Sequence, residues 1–366
     1  MVSMKKRMFF VFSGGLAYFL LFIFKIIKKI GLDFILKIFC RIFIKCLGEK
    51  IINERTEFDA LKGRKINKFI LALPSFGCEH YFSQGGCAMC GFNREIVKYG
   101  FRNLHPLAIT ALVKIFLNYF YYETEKKKID TMCVFMAGSF LNDIEFPLQA
   151  QKLVLHYFIQ SKAQKLIIES RPEYIDLYKE KLYFWSKKVG KKEIKINLGL
   201  ESVNEIIRNK YIKKNLKISD YKKAIQIIKK NNFLVGTYVL LGCPFLTERE
   251  IIKETIETLK FAWDQGSDIV NIEVYCVHPG TMWYVLYKKK CLIIPSLWLI
   301  VDFIKKIDLI SNKWHLGEFF DWPLPTAYPM SCPKCQNKIL EALEDLRLNH
   351  NIKVLNELEI CSCYQS

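Results

Sequence analysis

The chain has 366 residues and a mass of 43.1 kDa, with 51% hydrophobic and 25% charged residues, which excludes a disordered chain and allows one sizeable core with appendages. A formal net charge of +19 favours anionic partners, nucleic acid or an acidic membrane surface, although a Lys-rich solvated surface carries the same signature. Thirteen cysteines in a chain this large, seven of them in two tight groups, exclude a small disulfide-framed domain and point to metal chemistry in a reducing compartment.

The charge is concentrated at the start: residues 1–68 hold 15 Lys/Arg against 5 Asp/Glu. Met8 to Phe24 is an uncharged run of 17 residues, at the lower limit for spanning a bilayer, with Lys5, Lys6 and Arg7 before it and Lys25, Lys28 and Lys29 after it. From Lys25 to Lys45 a charge recurs at every fourth residue among Ile, Leu and Phe, a basic and mostly apolar helix of the kind that lies at a membrane interface. No A-x-A-like cleavage site follows the run. More positive charge follows it than precedes it, so the expected location is the cytoplasm, with this segment attached to the cytoplasmic face of an anionic membrane. The competing reading is a pair of core helices.

From Lys68 the pattern becomes an alternation of strands and helices. Strands are expected at 68–74, 131–137, 165–170, 195–201, 234–241 and 269–277, with helices near 105–122, 147–161, 173–188, 219–231 and 247–264. Pro147 and Pro172 stand where helices begin, and Ser219 and Thr247 are suited to cap them. Such alternation predicts an α/β fold with a parallel sheet, a partial (β/α)6 barrel with its sites at the C-terminal ends of the strands. The expected division is an N-terminal extension over 1–62, the barrel core over 63–292, and a C-terminal extension over 293–366. That last segment holds a helix over 292–310, a Trp/Pro-rich loop, a helix near 336–348, and four cysteines.

Cys78, Cys87 and Cys90 follow directly from the first strand with x8 and x2 spacing. Three thiolates occupy three irons of a [4Fe–4S] cubane and leave the fourth open, where the amino and carboxylate groups of S-adenosylmethionine can bind. Reductive cleavage of the sulfonium, fed by a low-potential electron donor, would release a 5′-deoxyadenosyl radical. The alternative is a zinc site with His80 as fourth ligand. Gly138-Ser139 ends the second strand, Glu169 and Arg171 the third, and Glu201 the fourth. Their recurrence at one edge of the sheet suits contacts to the ribose, adenine or carboxylate of that cofactor. His278 ends the sixth strand, where it either faces a substrate or serves the structure. Cys332, Cys335, Cys361 and Cys363 suit a tetrahedral zinc, with a second iron–sulfur cluster as the rival. Cys40, Cys46, Cys133, Cys243, Cys276 and Cys291 lie mostly in apolar runs and read as buried hydrophobes.

The segments FGCEHYFSQGGCAMCGF, GSFLND, ESRPEYI, GLES and CPFLTERE, with Ile294-Pro-Ser-Leu-Trp298 and the closing cysteine pairs, resemble the radical S-adenosylmethionine proteins related to the Elongator catalytic subunit. Within them the resemblance is to the archaeosine synthase radical subunits, and it runs from about Lys68 to the C-terminus. It implies a radical S-adenosylmethionine type of barrel and action on tRNA, with cleavage of a lysine adduct on a modified 7-deazaguanine to leave an amidine. It also implies a cluster on Cys78, Cys87 and Cys90, and cofactor contacts from Gly138, Ser139, Glu169, Arg171 and Glu201. Two other functions compete with it. One is a membrane-associated radical enzyme acting on a lipid-linked or specialised metabolite. The other is a non-catalytic zinc and nucleic-acid-binding module, which accounts for the tail and the charge but not for the loop cysteines.

Overall fold

The computed structural model describes residues 52–318 and 323–364. The apolar run 8–24 and the basic stretch 25–45 lie outside the described residues, as do Cys40 and Cys46. Among the described residues no helix is long and apolar enough to cross a membrane.

In chain order the strands are β1 (Ile52–Asp59), β2 (Arg64–Ala72), β3 (Thr131–Phe135), β4 (Lys165–Ser170), β5 (Glu193–Glu201), β6 (Leu234–Leu241), β7 (Ile269–Val274) and β8 (Trp314–Leu316). They are hydrogen-bonded in that same order. The helices are α1 (Glu79–Gln84), α2 (Phe92–Tyr99), α3 (Pro106–Thr124), α4 (Leu148–Gln160), α5 (Glu173–Leu177), α6 (Lys179–Lys188), α7 (Ile218–Lys230), α8 (Glu248–Asp264), α9 (Met282–Lys288), α10 (Leu297–Asp308), α11 (Gln336–Asn349) and α12 (Lys353–Asn356).

The expected six strands are all present, and the sheet gains one at each end. β1 is half charged and carries no clean alternation, and β8 has only three residues, so neither gives a strand signal. Four residues join β1 to β2, too few for a parallel crossover, so this pair is an antiparallel hairpin. Its turn is built by Asp59, whose carboxylate accepts the Leu61 N–H at 2.9 Å, and by Gly63 at φ +60°. Residues 52–59, expected within the N-terminal extension, therefore belong to the sheet.

The described chain divides into two compact units, residues 52–55, 67–85 and 92–196 in one and 56–66, 86–91 and 197–364 in the other. In the first, β2 pairs with β3 in parallel (Lys68 opposite Thr131) and β3 with β4 (Thr131 opposite Lys165). β3 and β4 are buried on both faces, as parallel strands under helices must be. The apolar α3 starts with Pro106 in its first turn and docks on α4, where the Tyr157 hydroxyl donates to Asn118 Oδ1 at 2.5 Å. The helix expected at 173–188 is interrupted at Tyr178 and becomes α5 and α6.

In the second unit β6, β7 and β8 are parallel, with Val270 opposite both Thr237 and Trp314. Tyr221 of α7 is completely buried and bonds through its hydroxyl to Thr237 at 2.8 Å, fixing that helix to the sheet. Thr247 caps α8 in a reciprocal box with Glu250. Ser219 does not cap α7: Lys217 is the extended residue before the helix, and Ser219 falls inside the first turn. Between β5 and α7 a π-helical turn, Ile206–Tyr211, buries Arg208, whose guanidinium donates to the carbonyls of Ser202, Val203 and Leu216.

Candidate active site

In the first unit the chain leaves β2 and turns through Ser75 and Gly77. Ser75 donates to the Ala137 carbonyl at 3.1 Å, holding the turn to the end of β3. Gly77 adopts φ +86°, and a β-carbon there would fall 2.8 Å from the Phe82 ring and 2.9 Å from Asn93 Oδ1, so no larger residue fits. The half-buried Cys78 caps α1, and its N–H donates to Asn93 Oδ1 at 2.8 Å. α1 ends on Gly85 in the left-handed conformation. Arg102 braces α1 from outside, paired with Glu79 at 2.9 Å and lying 4.4 Å over the Phe82 ring.

Gly138 stands against this loop. It adopts φ +129°, and a β-carbon would lie 3.3 Å from both the Cα and the N of Cys78. The neighbouring Ser139 is fully buried and accepts the Arg171 N–H at 3.0 Å. Phe140 donates its N–H to the Glu169 carbonyl at 2.9 Å. Gly138, Ser139, Glu169 and Arg171 are thus one stitched ledge at the ends of β3 and β4, with Cys78 at its margin. The fully buried Glu145 accepts the N–H groups of both Glu79 and Ser139. Burial raises its pKa, and these N–H bonds oppose the rise. Sequence reasoning missed Glu145, which lies just past the GSFLND segment and outside any recognisable spacing.

Cys87, Cys90 and Glu201 belong to the second unit. Cys87 and Cys90 bracket a turn in which the Cys90 N–H meets the Cys87 carbonyl at 3.1 Å, and both thiols are half-buried. Ala88 anchors the turn: its N–H donates to Ile212 at 2.7 Å, its carbonyl accepts from Trp283 at 3.2 Å, and it sits in a cluster with Tyr275 and Val277. A β-carbon at Gly91 would lie 2.7 Å from His278 Cβ. His278 donates to the Pro323 carbonyl, leaves Nδ1 without a hydrogen-bond partner, and is held below the usual imidazole range by burial.

Strand alternation puts Gly199 and Glu201 on one face of β5, with the fully buried Leu198 and Leu200 on the other. Glu201 pairs with Lys214 at 2.7 Å. Lys214, which no motif indicated, occupies the room that Gly199 leaves.

The loop set supplies three half-buried cysteine thiols, a donor chemistry that suits an iron–sulfur cluster. Of the remaining cysteines, Cys133 and Cys243 are buried as expected, Cys276 is half-buried, and Cys291 is exposed, a departure from the buried reading. Burial pushes the Cys243 and Cys276 thiols up to about 12, so they stay protonated near neutral pH.

The tail forms a separate centre. The ligand atoms of Cys332, Cys335, Cys361 and Cys363 all lie within 4.8 Å of one another and could hold one metal ion. Their sulfurs stand 3.7 Å (Cys332–Cys335), 3.4 Å (Cys332–Cys361) and 3.4 Å (Cys335–Cys363) apart. Four thiolates at about 2.3 Å from one tetrahedral ion are about 3.8 Å apart. Thiolates on a cubane each bind a different iron and stand wider, so these spacings favour a single ion. Hydrogen bonding from the Cys332 backbone brings the Cys363 thiol down to about 6. Tyr364 packs on Trp298 at 5.1 Å between centroids and donates to Asp302, tying the tail to α10.

No family model matches the chain. It is 29% identical over 299 residues to an uncharacterised protein of Methanocaldococcus jannaschii, covering 78% of this chain and 77% of that one. It is 24% identical over 316 residues to the archaeosine synthase subunit beta of Methanosarcina acetivorans, covering 84% and 86%. Among solved structures, a queuine lyase from Clostridium spiroforme bound to SAM and queuine covers 75% of this chain and 99% of its own, at a TM-score of 0.45 and 18% identity. The chain is homologous to archaeosine synthase subunit beta, at about 25% identity.

Proposed function

We propose that this protein is a radical S-adenosylmethionine enzyme that modifies tRNA at a 7-deazaguanine base, in the manner of archaeosine formation. Cys78, Cys87 and Cys90 would hold a [4Fe–4S] cluster, which when bound supplies the one-electron chemistry that cleaves S-adenosylmethionine to 5′-deoxyadenosine. Gly138 and Ser139 would present main chain to the cofactor's amino group, with Arg171 on the same ledge, and Glu169 and Glu201 would offer carboxylates to its hydroxyls. The observation that supports the reading is the approach of Gly138 to the Cys78 main chain, which brings the Gly138–Ser139 turn against Cys78. The tRNA substrate is supported by the homology to archaeosine synthase subunit beta and by the net charge of +19. The four tail cysteines would bind one structural zinc.

Anaerobic reconstitution followed by reduction with S-adenosylmethionine tests the class: 5′-deoxyadenosine should form. Mass spectrometry of tRNA nucleosides from a deletion strain tests the substrate. Loss of a modified 7-deazaguanosine supports it, and an unchanged nucleoside profile removes tRNA from the proposal.

A further inference from the structure

Glu145 belongs to none of the motifs above, yet it touches both halves of the first unit's candidate site. Its side chain is completely buried. Oε1 accepts the Glu79 N–H at 2.9 Å, and Oε2 accepts the Ser139 N–H. Its own carbonyl accepts the Phe76 N–H at 2.8 Å, and its N–H donates to Asn142 at 3.0 Å. One carboxylate therefore grips the peptide that follows Cys78 and the peptide that follows Gly138. The fit leaves no slack, since a β-carbon on Gly138 would fall 2.5 Å from Glu145 Oε2. A second hold acts one residue earlier, where Asn93 takes the Cys78 N–H.

We propose that Glu145 is a positioning residue that sets the separation between the Cys78 loop and the Gly138–Ser139 turn, and through it the placement of S-adenosylmethionine on the cluster. The inference rests on the reading of Cys78 as a cluster ligand. Glu145 touches neither cluster nor cofactor in this account; it acts through two main-chain amides. A carboxylate suits the task because both oxygens accept, whereas an amide of the same shape must turn an NH2 toward one of the two N–H donors. Support of this kind is worth on the order of 10-fold in affinity or activity at metal centres.

The test uses full-length, anaerobically reconstituted protein. Glu145→Gln should retain wild-type iron content, because the thiols are intact. Its affinity for S-adenosylmethionine should fall roughly 10-fold, and the change that the cofactor induces in the electron paramagnetic resonance spectrum of the reduced cluster should shrink. Glu145→Asp, whose carboxylate is drawn back by one methylene, should show the same split between iron content and cofactor response. A residue serving only the fold would lower thermal stability while leaving affinity and the spectral change as in wild type, and that result overturns the proposal. Should both variants fail to fold, hydrogen exchange in wild type decides. Adding S-adenosylmethionine should protect the Glu79 and Ser139 amides together, and protection of one without the other overturns the coupling. Failure of the underlying reading is visible separately, as a wild-type protein that takes up no iron or binds no S-adenosylmethionine.

Discussion

Lys214 Nζ stands 2.7 Å from Glu201 Oε1, and the two side chains are only 8% and 10% exposed. Glu201 reaches this position because the end of β5 turns to φ +64°, a left-handed conformation that glutamate adopts only at a cost. Gly199 completes the arrangement, as a β-carbon there would fall 2.3 Å from Lys214 Nζ.

Removing one partner of such a pair leaves an uncompensated buried charge, which costs about 3–5 kcal/mol. Lys214→Met should therefore lower the denaturation midpoint substantially, and Glu201→Leu combined with it should recover part of the loss. Denaturant titrations of the single and double variants check this. Single variants as stable as wild type would show that the pair contributes nothing.

Replacing Cys78, Cys87 or Cys90 with Ala should abolish cleavage of S-adenosylmethionine and lower bound iron, since each thiolate holds its own iron in the proposed cluster. Iron assay and chromatography of 5′-deoxyadenosine provide the readouts. Full activity in any one of the three would falsify that assignment.

Cys332→Ser should release the tail metal and lower thermal stability without changing the iron held by the loop cysteines, because binding is coupled to folding of the segments that carry the ligands. Elemental analysis of the wild type should give about one zinc per chain. About eight irons per chain would instead indicate a second cluster.

Stability should fall as pH drops below about 6.5. Burial depresses the His278 and His350 pKa values below the ordinary 6.5. The unfolded chain then binds more protons than the folded one in the window beneath 6.5, so this contribution is complete above 6.5 and is lost as pH falls through the folded pKa values. Each histidine adds a slope of up to about 1.4 kcal/mol per pH unit. His350 lies between Phe58, at 5.2 Å, and Trp314, at 4.4 Å, and adopts φ +54°. His350→Asn tolerates that backbone and should flatten the slope; the slope, not absolute stability, is the diagnostic, since the ring contacts are lost as well.

What could be read from the chain itself followed the strength of its periodicity. The buried strands β3 and β4 and the capped helix α8 announce themselves through apolar runs and a capping threonine, and they stand close to the expected positions. β1 and β8 did not: one is a charged edge strand and the other too short to carry a pattern. Spacing alone marked the cysteine groups, and the tail four do converge. The supports were hidden, because Glu145 and Lys214 act from positions with no fixed offset to the residues they serve. Their roles arise from a turn and from a glycine's missing side chain, neither of which a linear pattern records.

The tail centre has a further consequence for the life of the protein. Its cysteine pairs are separated by the whole of α11 and α12, so a single ion would close a loop of about thirty residues, and Tyr364 fastens the last turn to α10. Without the ion that loop closure would be lost, and the segment would open more readily. Proteases act first on such segments. Scarcity of the metal would then be recorded as a clipped C-terminus on an otherwise folded chain, a mark that persists after the metal returns.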